Sequence, residues 1–250
     1  MKQLLIILLA GVLSTNLNAQ VQKGAILTGG YVSYHNHNNS DEFPYSYSEY
    51  TDYVLKRETN SLTLSPQIGL FISETTLLGV GITYEYSKND QQTTTARTSN
   101  GNPYNYSSSA FDKDDLIFIN PYLTRYTRIM DKLYFTATVN FLAGIGKGES
   151  HQTYQYNYYE LEHITDDYNE LETNIFELRI NVTPGFTYFI SDKWAVSGNI
   201  GYLYYNRKKE KLKTDLDLSE DLTNVDNDYV MNFGINQFTI GIQYYLNNTK

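Results

Sequence analysis

Residues 62–86 read LTLSPQIGLFISETTLLGVGITYEY. Up to Ile72, the large apolar side chains of Leu62, Leu64, Ile68, Leu70 and Ile72 alternate with Thr63, Ser65, Gln67 and Gly69. The alternation pauses at Ser73-Glu74-Thr75, then resumes with Leu78, Val80, Ile82, Tyr84 and Tyr86 against Gly79, Gly81 and Thr83. Side chains of a strand point to opposite faces with period two, so this stretch is a hairpin with one greasy face and one small, polar face. Which face is the interior decides the fold.

The same hairpin recurs. Residues 119–145 read INPYLTRYTRIMDKLYFTATVNFLAGI, and 182–205 read VTPGFTYFISDKWAVSGNIGYLYY. Each copy has a Pro in its first run (Pro66, Pro121, Pro184) and a short polar turn centred on Glu74, Asp131 or Asp192. With their flanks these hairpins predict eight strands, near 24–34, 61–72, 76–87, 115–127, 133–146, 175–190, 194–206 and 231–246. Tight connections follow Ile72, Thr127 and Ile190, and they alternate with long ones at 35–60, 88–114, 147–174 and 207–230. A soluble meander has no need of that asymmetry. A transmembrane barrel with short turns on one side and long loops on the other has it by construction.

Two closed barrels compete for the greasy face. In a soluble calyx it points inward, and the water-facing side then normally carries Lys and Glu. Here the opposite face is small and nearly uncharged, which suits the narrow interior of an eight-stranded barrel. The greasy face then meets lipid. Pro removes a ladder donor, so bulges are expected beside Pro66, Pro121 and Pro184. Trp194, Tyr188, Tyr134 and Tyr126 lie close to the tight turns, and Tyr84, Tyr86, Tyr202 and Tyr204 lie about ten residues further on, the spacing of two interfacial aromatic belts. In the last strand Phe233 and Ile235 are out of phase with Phe238, Ile240 and Ile242, and a bulge near Asn236-Gln237 reconciles them.

The chain has a net charge of −9, which argues against a nucleic-acid partner, and no Cys, which excludes disulfides and thiolate metal sites. Its beginning reads as a secretory signal peptide. Lys2 is followed by an apolar run from Leu4 to Leu13, a polar Ser14–Asn18 segment, and Ala19 before a cut that leaves Gln20 first. Two segments follow: a signal peptide at 1–19 and a barrel domain at 20–250.

From Lys23 to the closing FTIGIQYYL the chain resembles the small bacterial outer-membrane β-barrel proteins, compact eight-stranded barrels of porin-like or adhesin-like type. It departs from their pattern where Tyr245 is followed by Leu246-Asn247-Asn248-Thr249-Lys250 instead of ending on an aromatic residue. The resemblance implies an all-β, antiparallel up-and-down barrel in a Gram-negative type envelope. It also implies contact with outer-membrane lipid, the barrel-assembly machinery during biogenesis, and a monomeric state. An extracellular partner for the loops stays open.

Functional candidates are few. Glu85, Glu177 and Arg179 share the lumen face near the loop-side rim and form a candidate polar network at the mouth. Arg125 shares its face with Leu123 and Ile119, so either a bulge turns it inward or it snorkels to the interface. His35 and His37, two apart, have no third fixed ligand, and the acidic long loops lack EF-hand spacing. The basic run Arg207-Lys208-Lys209 has a place near lipid phosphates. No catalytic, cofactor or metal residues are assigned. The expectation is a non-enzymatic barrel with a structural or surface-binding role carried by its loops. A narrow channel for ions or small solutes is the alternative. A lipid-modifying enzyme, with His35 or His37 beside Ser33 or Ser40, or a soluble lipocalin-like binder comes third.

Overall fold

The computed structural model describes residues 22–43, 50–99, 102–158, 167–213, 223–232 and 238–246. Every regular element among them is a strand: β1 (Ile26–Phe43), β2 (Tyr50–Ser73), β3 (Thr76–Ser99), β4 (Asn102–Arg128), β5 (Leu133–Tyr158), β6 (Asp167–Phe189), β7 (Trp194–Ile200), β8 (Tyr202–Lys213), β9 (Thr223–Asn232) and β10 (Phe238–Leu246). Neighbours pair antiparallel in chain order from β1 to β7, and β7 pairs with β10. The β1–β10 ladder, Ile26–Val32 against Ile240–Leu246, closes the ring. Eight strands therefore form the wall, with β8 and β9 continuing β7 and β10 upward.

Exposure settles the question posed by the 62–86 hairpin. Leu70 and Val80 are 47% and 41% exposed, whereas Phe71, Leu77 and Thr83 are buried. The same division holds around the wall, with Ile68, Ile82, Ile119, Phe141, Val182 and Ile242 outside. An outward apolar band on a closed barrel is the pattern of a wall immersed in lipid, where every backbone group must be paired within the protein. The signal-peptide segment and the expected bulge near Asn236-Gln237 lie outside the described residues.

The structure corrects the sequence in two places. The expected long loops are largely strand: β2 to β6 run for 24, 24, 27, 26 and 23 residues. A membrane crossing takes about 9–11 residues, so the sheet continues well past the bilayer. Thr93 and Thr94 lie opposite Ser108 and Ser107 there, flanked by Gln92 opposite Ser109 and Thr95 opposite Tyr106, a stretch whose β-branched and small hydroxyl residues pair well without apolar alternation.

The second correction concerns the prolines. Pro66 and Pro121 cause no register shift: pairing on either side of each keeps the same frame. Pro66 faces Gly30 on one side and Pro121 faces Val80, and the rung left open is on the other side, where the missing N–H would have donated. Beside Pro184 the ladder does slip. Gly185 pairs with Asn199 but Val182 pairs with Leu203, a shift of one residue on the partner strand. Gly201 sits in that slip with φ of 109°, a left-handed conformation that glycine adopts without steric cost. The bulge inverts which side chains face lipid, from even numbers on β7 to odd numbers on β8.

Candidate functional site: an aromatic floor, a polar chamber and a charged mouth

At the short-turn end the lumen is filled. Leu27, Phe71, Leu77, Tyr122, Tyr126, Tyr134, Phe189 and Tyr245 form one buried cluster. Ring centroids lie 5.2 Å apart for Phe71 and Tyr126, 4.8 Å for Phe189 and Tyr245, and 5.4 Å for Tyr134 and Phe189, in tilted and edge geometries. Two of the tyrosine hydroxyls, those of Tyr126 and Tyr245, belong to a short polar chain. The Tyr245 hydroxyl donates to Gln243 Oε1 at 2.7 Å, Gln243 Nε2 donates to the Tyr31 hydroxyl at 3.1 Å, and the Tyr126 and Tyr245 hydroxyls meet at 3.3 Å. Small wall residues make the room. A Cβ on Gly79 would collide with the Tyr122 ring, and one on Gly144 with the Phe118 ring, so the glycines of the polar face are the sockets of the lumen aromatics.

Above this floor lies a polar chamber of about 160 Å³, lined by Thr63, Ser65, Gln67, Thr83, Asn120, Thr124, Thr138, Asn140 and Asn181 among others. That is room for roughly five waters at about 30 Å³ each. Asn120 Oδ1, the Tyr122 hydroxyl and Asn181 Oδ1 are buried in its lining without a protein partner, polar atoms that face the chamber.

The mouth is crossed by charge. Arg179 on β6 reaches over the lumen to Glu85 on β3 with a two-pronged contact, Nη1–Oε1 2.8 Å and Nη2–Oε2 3.1 Å. It also donates to Glu177 Oε1 from Nη2 at 2.6 Å and from Nε at 3.1 Å. Its guanidinium lies 5.0 Å from the Phe118 ring centroid and 6.0 Å from that of Tyr204. The three residues singled out from parity are therefore one network. Charged residues meet only when burial is compensated by such pairing, and Glu177 is nearly fully buried. A second tier was not foreseen: Lys208 Nζ contacts Asp114 Oδ2 at 2.8 Å and Glu210 Oε1 at 2.7 Å. The signal was available, since these residues share the lumen parity, but only once the Gly201 slip is known.

The aromatic belts need correcting. Trp194 is 48% exposed with its ring 4.8 Å from that of Tyr244, and Tyr188 shares that outward face, so they do mark the turn-side rim. Tyr84 and Tyr86 face out at the opposite rim, where the Tyr84 hydroxyl donates to Asp115 Oδ1 at 2.7 Å. Tyr126 and Tyr134 belong instead to the buried floor. Tyr204 faces the lumen beside Arg179, with the Tyr202 ring 5.3 Å away, because the Gly201 slip reverses the facing of β8. Tyr205 and Tyr229, rings 4.8 Å apart, take their place outside.

Other candidates are placed as follows. Arg125 faces out near the short-turn end and donates from Nη1 to Thr76 Oγ1 at 3.0 Å. His35 and His37 stack with ring centroids 6.2 Å apart on an exposed face of β1; Ser33 shares that face and Ser40 lies on the other. No group of three metal-ligating side chains occurs among the described residues.

No protein-family model matches the chain, and no curated protein matches it. Among solved structures it is similar to the outer membrane protein OprG from Pseudomonas aeruginosa, with 12% identity, a TM-score of 0.35, and coverage of 92% of this chain and 99% of that one. It is also similar to the translocator domain of the autotransporter NalP from Neisseria meningitidis, at 8% identity and TM-score 0.22 over 97% and 94% of the two chains. The CymD monoaromatic hydrocarbon channel follows at 8% identity and TM-score 0.20 over 91% and 89%. Likenesses at such scores carry nothing over to this chain. Its class rests on its own wall, which is closed, antiparallel, apolar outside and polar inside: a transmembrane up-and-down β-barrel.

Proposed function

We propose that this chain is an outer-membrane β-barrel, exported after loss of residues 1–19, whose role is binding or structural display at the cell surface. A closed antiparallel barrel with asymmetric connections is suited to that membrane. The single observation that supports the display reading is the floor: Phe71, Tyr126, Phe189 and Tyr245 are fully buried and pack their rings across the turn-side end of the lumen. What the wall offers to the outside is instead its extension. Beyond the apolar band β2 to β6 continue for more than about ten residues, or roughly 35 Å of strand, as a stiff sheet raising the connecting segments above the surface. Catalysis is not part of this reading.

The test is a pair of deletions. Shortening β1–β2 and β5–β6 above the band should leave a heat-modifiable, membrane-inserted barrel that has lost adhesion or partner binding. Retention of the surface phenotype by both deletions would defeat the display reading.

A second reading has its own support in the polar chamber. If the floor moves, that chamber joins the mouth to the periplasm as a narrow channel. Stepwise currents from the unmodified protein in planar bilayers would favour this reading over display.

A further inference from the structure

Above the apolar band, cations on the outside of the wall are treated in two ways. On β3 and β4 they are paired with carboxylates on the same face: Lys88 with Asp90 at 2.8 Å, and Lys113 with Asp115 at 3.1 Å and Glu149 at 3.5 Å. On β5 and β8 three are not. Arg207, Lys209 and Lys147 are exposed and contact no carboxylate among the described residues.

The register brings these three together. Arg207 pairs with Leu178 and Lys209 with Phe176, on the strand between β8 and β5. Phe176 pairs in turn with Ile145, two residues before Lys147 on the same face. Phe176 and Leu178 are 45% and 40% exposed, so the cations border the upper edge of the lipid-facing band. Just below Arg207 the Tyr205 and Tyr229 rings lie together on the outer face, as aromatic side chains do at a headgroup boundary. The carboxylates nearest in register are engaged: Asp115 and Glu149 hold Lys113, and Glu172 has a contact of its own. In a chain of net charge −9, Arg207 and Lys209 stand two residues apart on one outer face with no carboxylate engaged, and Lys147, across β6, stands opposite Asp115, whose carboxylate Lys113 already engages.

We infer that Arg207, Lys209 and Lys147 form a docking site for the phosphate groups of a membrane lipid headgroup in the outer leaflet. The inference rests on the membrane-barrel reading. Apolar Phe176, Leu178 and Ile145 receive the upper acyl chains, while the guanidinium and ammonium groups meet the phosphates at the level where these lie. Arg offers two parallel donors to a phosphate, and Lys a point charge. The continuous sequence Arg207-Lys208-Lys209 divides its work by parity, since Lys208 points into the lumen and braces Asp114 and Glu210.

The experiment places the full-length protein in phosphatidylcholine nanodiscs containing either a bisphosphorylated diglucosamine glycolipid or its dephosphorylated form. After detergent extraction, retained lipid is counted by native mass spectrometry for wild type, the R207Q/K209Q double variant, K147Q and the paired-cation control K88Q. The wild type and K88Q should retain the phosphorylated lipid selectively, and retention should fall about fivefold for each unpaired cation removed. Equal retention of the two lipids by wild type, or undiminished retention by R207Q/K209Q, overturns the site. So does complete displacement of the lipid by millimolar inorganic phosphate, which would identify a free anion as the ligand. Failure of the wild type to enter the nanodisc at all would strike the membrane-barrel reading itself, and is seen separately as the absence of a heat-modifiable band.

Discussion

At the turn-side end the lumen is packed with rings from Phe71, Tyr126, Tyr134, Phe189 and Tyr245, with a short chain of hydroxyl and amide contacts threaded between them. At the opposite end it is crossed by Arg179 and Lys208, each gripping one carboxylate from another strand and one from its own. Both regions block the same tube. The floor does so by volume and excludes water, so opening it requires removing atoms. The mouth does so by charge, with Arg179 and Glu85 both partly solvated, and is the end at which water or a changed charge has leverage. A barrel built this way holds its polar chamber between an end packed with rings and an end crossed by charge.

The strongest way to break the comparison is to remove floor volume. Phe189→Ala should cost about 3–5 kcal/mol, the usual range for a buried Phe truncated to Ala. It should also give planar-bilayer currents that the parent lacks. A variant that loses stability but stays non-conducting would mean that the neighbouring rings collapse into the gap, and would move the true barrier to the mouth.

Charge placed on the outside of the same hairpin should act on insertion instead. Ile68→Arg puts a cation on a 53% exposed, lipid-facing position midway between Leu64 and Ile72, and should cost about 2–4 kcal/mol near the membrane midplane. Gln67→Asn, one face over and inside the lumen, should insert as the parent does. Heat-modifiability on gels after folding into vesicles reads both, and the reverse order would restore the soluble calyx.

At the mouth, Arg179→Leu leaves Glu177 buried without its partner and should cost about 1–3 kcal/mol, less than the floor variant because Glu85 is able to turn to water. Arg179→Lys keeps the charge but loses the two-pronged grip, so it should recover only part of this. Denaturant midpoints for the two variants measure the difference. If Arg179→Leu conducts while Phe189→Ala does not, the roles assigned to the two ends are exchanged.

Much of the wall was legible because period-two alternation is dictated by strand geometry and lipid punishes any exception to it. Leu62 to Tyr86 alone predicts which residues face out, and Glu85, Glu177 and Arg179 fall on the lumen face by counting. What counting misses is a change of phase. Gly201 sits in an unremarkable Ile-Gly-Tyr stretch, and its positive φ follows from local ladder geometry that no periodicity encodes. That one slip misplaces Tyr202 and Tyr204 and hides the Lys208 bridge. The length of the strands was illegible for a different reason. Above the membrane the inner face buries hydroxyls such as those of Thr93 and Thr95 while Thr94 is exposed, so Thr-Thr-Thr and Ser-Ser-Ser carry no apolar alternation even though they lie in the β3–β4 ladder.

The smallest expected effect lies at the outer rim and separates the two ends by pH. Asp115 sits just above the apolar band, and its carboxyl is held below the usual carboxylate range, first by the Tyr84 hydroxyl donating to it and then by Lys113. A carboxylate whose folded pKa is depressed contributes stability that is present above its unfolded value, near about 4, and is lost as pH falls through the folded one. Asp115 is more than a third exposed, so the contribution is modest and sensitive to salt. The buried floor cluster contains no carboxylate and has nothing to titrate in acid. Denaturant midpoints at pH 7 and pH 3 should therefore differ less for Asp115→Asn than for the parent, while Phe189→Ala should lower both midpoints and keep the parent's difference between them. An Asp115→Asn protein with the full acid sensitivity of the parent would overturn the role given to Asp115.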